Sequence, residues 1–276
     1  MICICCNTRF QYPARCPSCG FAAATSIEIE SYAPGTRVGS RYSVIAPLGT
    51  GRFGTCFKAR DERFHNDVVL KFIHPGYLPE SAFVERFCAG MRFLQQNNYP
   101  VTTRVIDVGV EDGVAYMASE FIEGVPLRDL ISNRRMAGRN FSVAEIFPIV
   151  RQISAFLIES DAGFNGALCP ENIWIMPGSL KVMESGLVEN LPGGVLEIRL
   201  LANSDTSAYV APELRSGKGL NAASDVYSLG VLLGEMVSGV QFAGRLDAYF
   251  ARSPDLLLPL EGILRRALQG EADQRY

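Results

Sequence analysis

No apolar stretch of this sequence approaches the ~20 residues a membrane-spanning helix needs, so no span is expected within this piece. The start, Met1-Ile2-Cys3-Ile4-Cys5, lacks the positive charge and long apolar run of a secretory leader, which points to the cytoplasm. Low-complexity, collagen-like and disorder-prone compositions are absent. There is no excess of positive charge: 26 Lys and Arg face 29 Asp and Glu, for a net charge of −3. That balance argues against a general binder of nucleic acid or anionic membrane. Histidine and tryptophan are scarce, with only His65, His74 and Trp174.

What is present is an ordinary globular composition, 48% hydrophobic and 20% charged over 276 residues. The length allows one large domain or two small ones with a sizeable core. Cysteine is unevenly placed. Five of the eight, Cys3, Cys5, Cys6, Cys16 and Cys19, fall in the first nineteen residues.

Cys3-x-x-Cys6 is followed after nine residues by Cys16-Pro17-Ser18-Cys19-Gly20. One Cys-x-x-Cys turn can place two thiolates on one ion, and two such turns complete a tetrahedral four-thiolate zinc shell. In a reducing compartment metal is favoured over disulfides; a redox pair or a small disulfide clasp is the alternative. The segment resembles a short bacterial zinc ribbon with Cys3, Cys6, Cys16 and Cys19 as ligands. Four thiolates leave no open position, so the zinc is expected to be structural. Cys5 is surplus. Arg9 and Arg15 are the only strong basic groups of the ribbon, too few to suggest nucleic acid. Residues 21–36 read as a linker, with some alternation at Ile27-Glu28-Ile29-Glu30.

Strand-like residues flank Leu48-Gly49-Thr50-Gly51-Arg52-Phe53-Gly54. With strands on both sides, the glycine run reads as a β-hairpin and not as a strand-to-helix dinucleotide turn. Val68-Val69-Leu70-Lys71-Phe72-Ile73 is a strand carrying one Lys. An amphipathic helix is expected near 81–96, then strands near 104–110 and 114–121. Further on, Ile146, Ile149, Val150, Ile153, Phe156 and Leu157 mark a helix stripe. Residues 226–237 are apolar nearly all round and predict a buried helix.

From about residue 37 to 276 the order of motifs resembles the protein-kinase family, in its bacterial, eukaryotic-like Ser/Thr branch. The resemblance runs through the glycine hairpin, Lys71, Pro170-Glu171-Asn172-Ile173, Gly186, Ala211-Pro212-Glu213 and Asp225-Val226-Tyr227-Ser228-Leu229-Gly230. It implies an α+β, bilobal protein-kinase-like fold. A small β-rich N-lobe would cover about 37–123 and a larger helical C-lobe about 124–276. It also implies that Asp225 anchors the catalytic loop and that Glu213 pairs with Arg275, both bracing the fold. The family's final helix would begin where this sequence stops, so further domains are expected after residue 276.

Phosphoryl transfer needs metal-held phosphates and a carboxylate to orient or deprotonate the attacking hydroxyl. Where the family has that Asp, this chain has Ala167, whose methyl group can do neither. Cys169 replaces the Lys that would meet the γ-phosphate, and Asn165 replaces a His. Asn172 is kept as a metal ligand. The Asp of the second metal-binding element has become Glu184, followed by Ser185 in place of Phe; Mg²⁺ demands near-ideal geometry, so metal binding should weaken. On the helix after Lys71 the family places a Glu that pairs with that Lys; here the position is Gly90. Glu85 is about 140° round the helix from it. Lys71 either keeps a place in a nucleotide site or simply extends out to solvent.

Gly49, Gly51 and Gly54 would let backbone amides approach phosphates. Yet the adenine space is crowded in this reading. Val69 is larger than the usual Ala of the roof, and Trp174 sits at the floor position. They either fill the slot, leaving a vestigial nucleotide site with weak ATP binding at most, or Trp174 packs on a C-lobe surface.

The implied function is a pseudokinase: a catalytically inactive domain acting as a protein-binding scaffold or allosteric regulator of protein partners. The alternative is a nucleotide-binding switch, or an atypical nucleotidyl or phosphoryl transferase with weak metal dependence. A third view gives recognition to the zinc ribbon. Thr206, in the loop before Ala211-Pro212-Glu213, is expected to have lost its family hydrogen-bond partner.

Overall fold

A computed structural model describes residues 32–276 except 52, 98, 160–165, 167, 193–205, 217, 243, 245 and 253–257. The expected zinc ribbon, with Cys3, Cys6, Cys16 and Cys19, therefore lies outside the described residues, as do Asn165 and Ala167. The chain divides into two units. One takes the described residues of 1–98, 104–121 and 190–203, and the other takes those of 99–103, 122–189 and 204–276.

The first unit is built on an antiparallel sheet. Its strands are β1 (Arg37–Val38), β2 (Tyr42–Thr50), β3 (Gly54–Asp61), β4 (Asn66–Ile73), β5 (Val105–Glu111) and β6 (Val114–Glu120). Their order is β1-β2-β3-β4-β6-β5. β4 is buried from Val68 to Ile73 because both of its faces are covered. Val68, Leu70 and Phe72 join an aromatic core with Tyr42, Phe57 and Tyr116. By the two-residue period of a strand, Val69, Lys71 and Ile73 point to the opposite face. Tyr32, inside the expected linker, is buried and stacks on Phe72 with ring centroids 4.1 Å apart. Gly35 and Thr36 bond Val44 through the backbone. The folded unit thus begins at or before Tyr32, earlier than the expected 37, because the aromatic face of the sheet needs that ring to close it. Helix α1 (Ser81–Gln96) packs on β5 and buries Phe87, Cys88 and Met91.

The second unit is mainly helical, with α2 (Leu127–Met136), α3 (Val143–Glu159), the short α4 (Pro212–Arg215), α5 (Ala222–Ser238), α6 (Leu246–Arg252) and α7 (Glu261–Ala267). A small antiparallel sheet adds β7 (Val125–Pro126), β8 (Ile173–Met176) and β9 (Ser179–Val182). Residues 99–103, expected with the first unit, belong here. Val182 donates its N–H to Val101 O at 2.7 Å, and Thr103 donates to Val182 O at 3.1 Å. Helix α5 is the centre of this unit. Asn221 caps it by accepting from Ser224 N, and Gly239 closes it in the left-handed conformation at φ 67°. Ile146, Ile149 and Ile153 of α3 join the same core as Val231, Leu232 and Met236 of α5.

Candidate functional site

In the first unit the glycine hairpin joins β2 to β3, with Gly49 opposite Cys56 and Thr50 opposite Thr55. Gly51 N donates to Gly54 O at 2.9 Å across the tip. Phe53 is fully buried, with its ring 5.7 Å from that of Tyr77, and its carbonyl accepts from His74 N. A methyl group at Gly54 would overlap the backbone carbonyl of Phe72 on β4, whereas one at Gly51 would meet open space. Packing between strands therefore accounts for Gly54 without reference to a phosphate. Gly49 adopts φ 142°, which a side chain would resist.

Lys71 lies mid-strand on β4, paired with Cys56 on one side and Met117 on the other. It is 8% exposed, so it does not extend into open solvent. On α1, the surface at Gly90 is met from outside the helix. A methyl group at Gly90 would overlap the side-chain amide of Asn190.

In the second unit, Leu168 and Cys169 both enter the apolar core. The next residues, Pro170–Asn172, form a tight 3-10 turn with Asn172 N donating to Cys169 O. Asn172 Nδ2 then donates to Glu184 Oε2 at 2.9 Å. Glu184 holds φ 61°, a left-handed conformation that favours Gly and costs roughly 1–3 kcal/mol elsewhere. The two residues expected to ligate metal are thus brought together as a direct amide–carboxylate pair. Trp174 sits half-buried on β8, opposite Pro126 and Lys181. Among the described residues, no group of three or more His, Cys, Asp or Glu is arranged to hold a metal ion.

The bracing contacts form as expected. Asp225 Oδ1 accepts from Gly166 N at 2.9 Å, tying the loop to the first turn of α5. Arg275 grips Glu213 through both terminal nitrogens at 2.8 Å, with Ser224 Oγ also donating to Glu213. Burial alone would raise the Glu213 carboxyl, but the Arg275 and Ser224 hydrogen bonds outweigh it and hold it below its ordinary range. Thr206 Oγ1 is buried and has no hydrogen-bond partner among the described residues.

The protein kinase domain pattern matches residues 42–248, most of the chain. The chain belongs to the protein kinase family. The serine/threonine-protein kinase PknA of Mycobacterium tuberculosis is 31% identical over 220 residues, covering 76% of this chain and 50% of PknA. The serine/threonine-protein kinase pkn3 of Myxococcus xanthus is 29% identical over 221 residues, covering 75% of this chain and 39% of pkn3. The chain therefore spans half or less of the length of these relatives. Among solved structures, the kinase domain of Mycobacterium tuberculosis PknI shares the fold. The TM-score is 0.68 at 21% identity, over 88% of this chain and 94% of that one. The fold is thus a protein kinase fold, with a β-rich first unit and a helical second unit.

Within this kinase domain, two arrangements went unread in the sequence. One is Asn190 against Gly90, whose partners are a hundred residues apart. The other is a cluster around Arg128 of α2. Its Nε donates to Glu171 at 2.8 Å, Nη1 to Glu235 at 2.7 Å and Nη2 to the Tyr209 hydroxyl at 2.9 Å. Tyr209 in turn donates to Glu235. Burial alone would lower the guanidinium, but the Tyr209 phenol and the two carboxylates outweigh it and push it up. Burial, then the Glu235 charge, push the Tyr209 phenol far up, so it remains a donor. An Arg in the first turn of an amphipathic helix gives no local signal of three partners from three other elements.

Proposed function

We propose that this kinase domain is a pseudokinase that serves as a protein-binding scaffold or allosteric regulator. The observation that carries the reading is Gly90: the family's place for a charge-pairing Glu has no side chain, and Asn190 occupies the space such a side chain would start from. Three independent departures support it. Ala167 offers no carboxylate, Cys169 is a core residue, and Asn172 is engaged with Glu184. Losses in parts that act together are not repaired by those that remain. The test is incubation of the purified protein with γ-phosphate-labelled ATP, Mg²⁺ or Mn²⁺ and a generic Ser/Thr protein substrate. Label transfer above that of a heat-inactivated control overturns the reading.

The retained glycine hairpin and buried Lys71 favour a second reading, a switch that binds nucleotide without transferring phosphate. The first reading allows weak ATP binding at most, and the second requires it. Thermal unfolding with and without ATP separates them. A rise of several degrees that is lost in Lys71→Ala favours the switch. For the N-terminal segment the reading is a structural zinc site of Cys3, Cys6, Cys16 and Cys19 in a cytoplasmic protein. Less than about half an equivalent of zinc in carefully purified protein would count against it.

A further inference from the structure

The second unit contains a cavity of about 540 Å³ that plays no part in the positions discussed above. This volume falls within the roughly 300–1,000 Å³ range of ligand-binding clefts. Its walls come from distant stretches of the chain. Tyr227 of α5 and Phe242 are buried and meet edge to face at 6.4 Å, Leu246 and Leu268 add apolar surface, and Ser207, Gln241 and Gln269 make the lining as polar as it is apolar. Arg215, at the end of α4, stands beside them and is exposed.

The charge of Arg215 is fixed in place but not neutralised. Its Nε donates to Val210 O at 3.0 Å and its Nη2 to Ser207 O at 2.5 Å. Both acceptors are neutral carbonyls, and no carboxylate pairs with Arg215 among the described residues. A guanidinium held by its own backbone loses little side-chain freedom when it meets an anion. The rim at Gly244 and Gly270 is exposed, and a methyl group at either would meet open space.

We infer that this cavity is a docking site for a short peptide segment of a partner protein, one carrying a bulky apolar side chain next to an Asp or Glu. The apolar side chain enters between Tyr227, Phe242, Leu246 and Leu268, and the carboxylate meets Arg215. The assignment rests on the reading of this domain as a binding module, and it names the chemistry of the partner.

The test starts with selection of short random peptides displayed on phage against the purified chain. Selected sequences are then made as fluorescein-labelled peptides and titrated by fluorescence anisotropy. Apolar–acidic sequences are expected to dominate. Arg215→Ala should weaken them by about tenfold or more, the scale of a charge-assisted hydrogen bond. Arg215 also braces its own loop, so Gln269→Glu and Gln269→Lys supply a second measure that leaves those bonds intact. Gln269 lines the cavity; the Glu variant should weaken binding and the Lys variant strengthen it. Selection of no peptides, of basic or purely apolar ones, or of acidic ones indifferent to both positions overturns the proposal. Phosphoryl transfer is measured on the same preparations. Peptide binding with transfer would overturn the pseudokinase reading and leave the site standing; neither binding nor transfer would do the reverse.

Discussion

The side-chain amide of Asn190 fills the space that any Cβ at Gly90 would need. Helix α1 therefore carries at Gly90 a notch occupied by a residue from the stretch after Gly186. Restoring a Glu at position 90 by mutation would first have to expel Asn190.

That relationship gives a double-mutant prediction. In a helix interior Gly is less favourable than Ala by about 1 kcal/mol. Gly90→Ala alone should shift stability by no more than about 1 kcal/mol, because displacing the Asn190 side chain offsets the helical gain. In an Asn190→Ala background the same substitution should stabilise by about 1 kcal/mol. Denaturant unfolding of the four proteins checks the cycle. Strict additivity would mean that the two residues do not compete for the same space.

The glycines of the hairpin should respond unequally. Gly54→Ala forces a methyl group into the Phe72 carbonyl, which is backbone and cannot rotate away. A cost of about 1–3 kcal/mol is expected, typical of overpacking. Gly51→Ala meets open space and should stay within about 0.5 kcal/mol of the parent. Equal effects in thermal unfolding would refute the packing explanation for Gly54.

Arg275 has a fully buried side chain and holds Glu213 by two bonds. Arg275→Ala should destabilise the second unit by about 3–5 kcal/mol, since it leaves a buried carboxylate uncompensated.

The same pair sets an acid limb of stability. The folded Glu213 carboxyl lies below its ordinary value, whereas an unfolded Glu titrates near 4.3. The unfolded state therefore binds the proton first, and the contribution is complete above that unfolded value. It is lost as pH falls through the folded value. Glu213→Gln should be less stable near neutral pH and show a shallower loss of stability below about pH 4. Parallel acid profiles for the two proteins would remove Glu213 from the account.

Ala167→Asp should leave phosphoryl transfer at background. On the pseudokinase reading, one carboxylate leaves Gly90 without a side chain and Cys169 and Glu184 unchanged. Appearance of Mg²⁺-dependent autophosphorylation in this single variant would show that those other positions are dispensable.

Much of the fold was legible because its signals are local. The apolar strand carrying Lys71, the helical stripe of α3 and the all-round apolar surface of α5 each follow from residues close in sequence. The pairing of Glu213 with Arg275 and of Asp225 with its loop were foreseen from motif order, and both form. The boundaries were less legible. Tyr32 looks like linker until Phe72 offers it a ring to stack on, and residues 99–103 look like part of the first unit until β9 claims their backbone.

Sequence alone determined which chemical group stands at each position. Ala167 has no carboxylate and Gly90 no side chain, whatever the fold does with them. Only the tertiary structure decided which groups meet: Asn190 with Gly90, Asn172 with Glu184, Cys169 with the core, and Arg128 with Glu171, Glu235 and Tyr209. A residue's composition is fixed where it stands in the chain. Its partners are set by which elements hydrophobic packing brings within hydrogen-bond reach, and no local pattern encodes that distance.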